Sequence, residues 1–273
     1  KDPETFPAYT LGLKNSMYAE TERFTSNVLW NGKLNDLLTS RTTFVNEGLA
    51  ALYGIPYPGS PGGDFVQVEL PAGQRSGLLT LGSIMATRAR TKNTSVVARG
   101  LFVNGAVLCI PKPPPPPAAV TEQVNAQLMN ETETERQKAD YRGKTQPCLS
   151  CHANFDPFGL VLENYDGIGR YRAEYAPGVA IDTTTKLPDS VGGGDVQTVA
   201  ELVAKVTASG TFSSCITANL MKYTLTDASL LEYGDCGIKQ THDQFLQGGQ
   251  SFSELMRSVL TSRTVTTRSV VKE

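Results

Sequence analysis

The chain has almost no charge excess: 25 Lys and Arg stand against 27 Asp and Glu over 273 residues, a formal net charge of −2. No global field therefore draws it to nucleic acid or to an anionic membrane. It also lacks any apolar run approaching about 18 residues, so no segment reads as a membrane-spanning helix. Nothing like a cleavable leader opens it, because Lys1-Asp2-Pro3-Glu4 reads as the interior of something longer. Histidine is scarce. The two present, His152 and His242, confine imidazole chemistry to two places. What remains is an ordinary globular composition, 40% apolar and 19% charged, on a chain long enough for one large domain or two modest ones.

One stretch stands out against this background, Cys148-Leu149-Ser150-Cys151-His152. A Cys-x-x-Cys-His run is the attachment signature of c-type haem. The spacing has a physical reason. Two intervening residues make one short turn that sets both sulfurs along one edge of a porphyrin, and the next residue turns its imidazole onto the iron. A redox dithiol does not require a histidine at this place. A zinc site needs a second close ligand pair, and the chain has no other Cys-x-x-Cys. The expected cofactor is one covalent haem c, held by Cys148 and Cys151 with His152 as proximal ligand. No internal repeat is visible, which argues against a second haem.

Around this run the pattern is mainly α. Leu13, Met17, Phe24 and Val28 recur at helical spacing; Leu34, Leu37 and Leu38 begin a second stripe. Val45, Leu49 and Leu52 make a third, stopped by Gly54. Residues 65–70 read as a short strand, and 78–86 and 96–108 as helices, with a basic, polar loop (residues 87–95) between them. Pro111 and Pro113 to Pro117 form an extended polyproline strap. After it, Val120, Val124 and Leu128 start a helix whose charged end, 131–138, reads as a solvated face. Beyond the haem run, 181–190 reads as a hairpin. Thr198 with Glu201, and Ser251 with Glu254, fit capping boxes. A helix carrying Cys215, Ile216, Leu220 and Tyr223 is expected against the haem. The expected fold is a helical module over residues 1–110, a linker at 111–119, and a cytochrome c-like mono-haem domain with a small β-hairpin and a C-terminal helical module over 120–273.

The stretch from Cys148 through Phe155-Asp156-Pro157-Phe158-Gly159 and Glu163-Asn164-Tyr165-Asp166-Gly167 to Arg172 resembles a family of large c-type cytochromes abundant in planctomycetes, myxobacteria and related environmental bacteria. Thr94 to Gly100, Leu108-Cys109-Ile110-Pro111 with the proline run, Leu187-Pro188-Asp189, Leu220 to Leu225 and Leu231 to Asp235 are similar to its other segments. The resemblance extends over nearly the whole chain, with residues 1–54 matching the end of an upstream helical module. It implies the C-terminal part of a longer precursor and a haem protein outside the cytoplasm, periplasmic or at the cell surface. Many relatives carry methionine shortly after the haem run; here Phe155 stands instead.

The remaining site expectations follow. Arg170 and Arg172, with Tyr165 in the same polar cluster, could anchor haem propionates; the competing reading is a salt bridge to Asp156 or Asp166. A backbone carbonyl near residues 153–157 is expected to accept the second ring proton of His152. Met221 is the candidate distal ligand and Met85 the runner-up, against core packing as the alternative; His242 reads as a surface residue. An Asp-Gly-x-Gly segment without an alternating carboxylate set does not make a calcium loop. For the other cysteines, Cys215–Cys236 is the first expected disulfide and Cys109–Cys215 the second. The expected function is one-electron transfer with other redox proteins or cytochrome subunits, in a complex that can be membrane-associated. The alternatives are a peroxidase-like haem enzyme with an open iron position, or a structural docking subunit.

Overall fold

The structure is a computed structural model and describes residues 1–114, 133–225 and 235–267. Val120, Val124, Leu128, Met129, Pro115 to Pro117 of the proline run and Leu231 to Gly234 lie outside those residues. The fold is mainly α, with three small two-stranded antiparallel sheets among the described residues.

The first helix, α1 (Leu11–Asn31), starts where the Thr10 side chain accepts the Leu13 N–H. Its buried residues Leu13, Met17, Glu20, Phe24 and Val28 recur every three or four positions, so one stripe faces inward. A short α2 (Asp36–Thr39) follows, then β1 (Thr42–Val45), α3 (Glu47–Tyr53) and β2 (Val66–Glu69). Val45, expected on a helical stripe, is instead the last residue of β1. That strand pairs with β2 from Thr42 opposite Glu69 to Val45 opposite Val66. The apolar period ran unbroken from Val45 into α3 because only the capping Asn46 separates strand from helix. Gly54 ends α3 at φ 68°, as expected.

Residues 78–86 split into a 3₁₀ turn (Leu78–Thr80) and α4 (Gly82–Thr87), parted by extended Leu81. Beyond them α5 (Val96–Phe102) widens into a π-turn (Val103–Val107). The loop before α5 is solvated as far as Asn93, but Thr94 and Ser95 are buried. Next come α6 (Glu135–Arg142), α7 (Cys148–His152) and α8 (Asp156–Val161). Two separate hairpins follow, and only the second overlaps the one expected at 181–190. One is β3 (Glu174–Ala176) on β4 (Val179–Ala180); the other is β5 (Thr185–Lys186) on β6 (Asp195–Val196), enclosing a 3₁₀ turn. Asp182 is occupied in a local turn, accepting the Thr184 N–H, so no strand starts there.

Four longer or medium helices and a short one close the chain: α9 (Val199–Ala208), α10 (Thr211–Leu225), α11 (Cys236–Gln247), α12 (Phe252–Thr261) and α13 (Arg263–Thr266). Thr198 and Glu201 form the full reciprocal box at the start of α9. Ser251 caps α12, but the Glu254 carboxylate turns to Arg257 at 2.6 Å rather than back to the cap. One apolar core runs from Phe24 and Val28 through Met85, Phe158 and Leu162 to Met221, Leu255 and Val259. It therefore continues across the proline run. A second cluster gathers α1, α3 and β2 residues around Leu49.

The disulfide joins Cys109 to Cys215, with Cα atoms 5.3 Å apart, and not Cys215 to Cys236. Cys109 sits at φ 55° just past the π-turn, which packs on α10, whereas Cys236 is exposed at the start of α11. The close loop favoured by sequence proximity was therefore passed over for a long one.

Glu20 is a buried acid inside the α1 stripe, accepting from Thr43 Oγ1 at 2.9 Å and from Tyr53 Oη at 2.5 Å. Burial pushes its carboxyl up to about 7, against the downward pull of those bonds and of Arg75. A pKa raised on folding means the native state holds the proton longer than the unfolded chain does. The associated stability is complete below the unfolded value near 4.5 and is lost as pH rises through about 7. At about 1.4 kcal/mol per unit this amounts to about 3 kcal/mol. Urea denaturation at pH 5 and pH 8 should show the native chain weakening with pH, and E20Q should flatten that slope. An unchanged slope in E20Q would show that Glu20 is not its source.

Candidate haem attachment site

The Cys148–His152 turn is held from both sides. Ser150 Oγ donates to the Pro147 carbonyl at 2.7 Å, and Ala153 N–H donates to Leu149 at 3.1 Å. Cys148 and Cys151 are both free thiols, the first buried and the second partly exposed, one helical turn apart. His152 follows on the same turn with its side chain 21% exposed. Its ring lies 4.8 Å from that of Phe155, centroid to centroid.

The partner of His152 is a side chain. Nδ1 lies 3.1 Å from Asp156 Oδ1. This corrects the expected backbone carbonyl, and local wiring supplies the reason. The Asn154 carbonyl is taken by Asn104 Nδ2 at 3.1 Å, and the Phe155 carbonyl accepts from Gly159 N–H. Asp156 is itself buried and held by Arg142 Nε, which reaches Oδ2 at 2.7 Å from the last residue of α6. A carboxylate paired with a guanidinium can only accept from the ring, so Nδ1 carries the proton and Nε2 is left as the basic nitrogen. That is the nitrogen an iron atom needs.

Two glycines bring this assembly onto its support. α5 and α8 cross so closely that a Cβ built on Gly100 would lie 2.0 Å from the Phe155 carbonyl oxygen. One built on Gly159 would lie 2.0 Å from that of Val96. Below the crossing, fully buried Arg99 donates to the carbonyls of Leu162 and Asp166, both at 2.8 Å, and its Nη1 stands 3.6 Å from Glu163 Oε2. Glu163 also accepts from Thr94 Oγ1 and, at 3.1 Å, from Arg172. Burial lifts the Glu163 carboxyl to about 7 against the pull of both guanidiniums.

The cluster named from sequence is thus divided. Arg172 pairs with Glu163, not with Asp156 or Asp166, and lies over the Tyr175 ring at 5.1 Å. The Arg170 side chain is exposed; its backbone N–H goes to Asp166 Oδ1. Tyr165 is buried, donates to the Gln74 carbonyl and has Arg75 over its ring at 5.0 Å. Met221 is fully buried in the central core, as is Met85, which packs beside Gly169. His242, read as a surface residue, is half-buried: its Nε2 lies 2.7 Å from Ser213 Oγ, and burial lowers its pKa.

Sequence reasoning passed over Arg142 and Asn104, and it took Glu135 and Lys138 for a solvated face. Both of the latter are 6% exposed. The available signal was spacing: residues 135, 138 and 142 share one helical face. Among the described residues no three His, Cys, Asp or Glu side chains converge as a cage for a metal ion. Cys148, Cys151 and His152 instead line one turn, the arrangement a porphyrin edge requires, so the residues present fit a haem.

Residues 75–175 match the family model PSCyt3, described as a protein of unknown function (DUF1588). Residues 1–55 match PSD4, likewise described as a protein of unknown function (DUF1592). Both are families of planctomycete-type domains associated with cytochrome c. No curated protein and no solved structure matches the chain. No helix among the described residues is long and apolar enough to cross a membrane.

Proposed function

We propose that the chain is a mono-haem c-type cytochrome unit that passes single electrons to and from other redox proteins outside the cytoplasm. The observation that carries this reading is the turn itself. Two free thiols stand one turn apart, followed by an imidazole whose Nδ1 is engaged and whose Nε2 is available. In this reading Cys148 and Cys151 form the thioether links and His152 is the proximal ligand. Asp156 and Arg142 hold the ring in one orientation and tautomer, and the Gly100–Gly159 crossing fixes the helix that carries Asp156. Haem supplies a one-electron couple when bound, and no residue here is needed to make or break a substrate bond. The periplasm or cell surface is the proposed location, because thioether attachment takes place there and the Cys109–Cys215 disulfide suits an oxidising compartment.

Producing the chain in cells that mature c-type cytochromes tests the reading. Intact-mass spectrometry should show an increase equal to one haem that survives acid-acetone, and C148A/C151A should abolish it. A colourless native protein, or pigment removed by acid-acetone, would overturn it. A low-spin ferrous spectrum indifferent to carbon monoxide would fit electron transfer. Rapid carbon monoxide binding would point to an open iron position instead.

A further inference from the structure

We infer that Asp156 is a positioning residue that strengthens His152 as an electron donor, so that a haem on this turn is poised at a lower potential than a backbone carbonyl behind the ring would give. This rests on the haem reading above and adds to it the sign of a tuning effect. The geometry has three parts. The carboxylate stands 3.1 Å from Nδ1, on the side of the ring away from Nε2. It is 5% exposed, so water does little to screen its charge. And it is aimed by a residue from another element, Arg142, itself 3% exposed, whose Nε binds the oxygen not facing the ring, Oδ2 at 2.7 Å.

Each oxygen of Asp156 thus has its own task. Oδ2 is fixed by the guanidinium and Oδ1 is presented to the imidazole. Accepting the Nδ1 proton in a charge-assisted bond shifts electron density toward Nε2 and makes the ring a stronger donor to a metal. A stronger anionic push on the ligand favours the ferric over the ferrous state, which lowers the potential. The charge of Arg142 offsets part of this, but it lies on the far side of the carboxylate.

The test compares the matured wild type with D156N and with D156N/R142M, which removes both charges and leaves no unpaired guanidinium in the interior. Haem content is read first, by intact mass. If the wild type carries no covalent haem, the attachment reading fails, and this inference falls with it for a reason the mass spectrum identifies. With haem present, spectroelectrochemistry should give both variants a more positive potential while the ferrous band positions stay in place. D156E should return the potential toward that of the wild type. Equal potentials in wild type and D156N would overturn the inference, as would a rise that D156E shares in full. It would also be overturned if neither variant took up the haem that the wild type accepts, since a tuning residue is dispensable for attachment.

Discussion

Gly159→Ala is expected to destabilise the chain by about 3 kcal/mol or more, although alanine is the better helix former by about 1 kcal/mol. The added Cβ would sit 2.0 Å from the Val96 carbonyl oxygen, and that oxygen belongs to the α5 backbone, so no rotamer change relieves the clash. The two helices must separate, and the separation opens space on both sides of the crossing. Gly100→Ala meets the Phe155 carbonyl at the same distance and should behave alike. Gly48 provides the control. It is exposed within α3, and its added Cβ meets nothing closer than Asn46 Oδ1 at 3.7 Å. Gly48→Ala should therefore be neutral or mildly stabilising. Urea midpoints for the three variants decide the matter: equal midpoints for G159A and G48A would show that the crossing is slack.

Arg99→Met should cost about 3–5 kcal/mol, the range for removing one partner of an ion pair shut away from water. Three losses coincide. The carbonyls of Leu162 and Asp166 lose their 2.8 Å donors, and Glu163, with no exposed side-chain surface, loses one of its two cations. Because burial already lifts Glu163 to about 7, the remaining carboxyl would be driven further toward its neutral form. The penalty should therefore grow with rising pH, since ionising Glu163 beside a methionine is the costly event. R99M/E163M, which removes both charges, should lose less than R99M alone. Chemical denaturation of both variants across pH 5–8 measures this. A double variant as damaged as the single one would show that Arg99 acts through the carbonyls and not through the charge.

How far these features could be read from the chain depends on the range of the interaction. Thr198 with Glu201, Gly54 at the end of α3, and the stripe from Leu13 to Val28 depend on neighbours within a turn or two, and all were legible. β1 was not, because its partner begins more than twenty residues later and its last residue, Val45, falls in phase with the helix that follows. Glu135 and Lys138 looked like a solvated face because charge is the usual mark of exposure, and Arg142, a turn further on, went unnoticed. Only the folded chain supplies the Asp156 carboxylate that makes burial of Arg142 tolerable. The same holds for the Cys148–His152 turn. Spacing alone singled out Cys148, Cys151 and His152 as candidates, while Asp156, the residue standing behind the imidazole, carried no such signal. The expected Cys215–Cys236 pairing followed a proximity rule that the π-turn after α5, by carrying Cys109 to Cys215, defeats.

Lys33 pairs with Ser251 across a β-bridge, Leu34 N–H donates to the Gln250 carbonyl at 2.9 Å, and the Trp30 and Phe252 rings meet edge-on at 6.0 Å. Phe24 and Val28 share their core with Leu255 and Val259. α12 follows α1 by more than two hundred residues, so this contact forms only after nearly all of the intervening chain has been synthesised, whereas the α1 contacts to β1 and α3 can form far earlier.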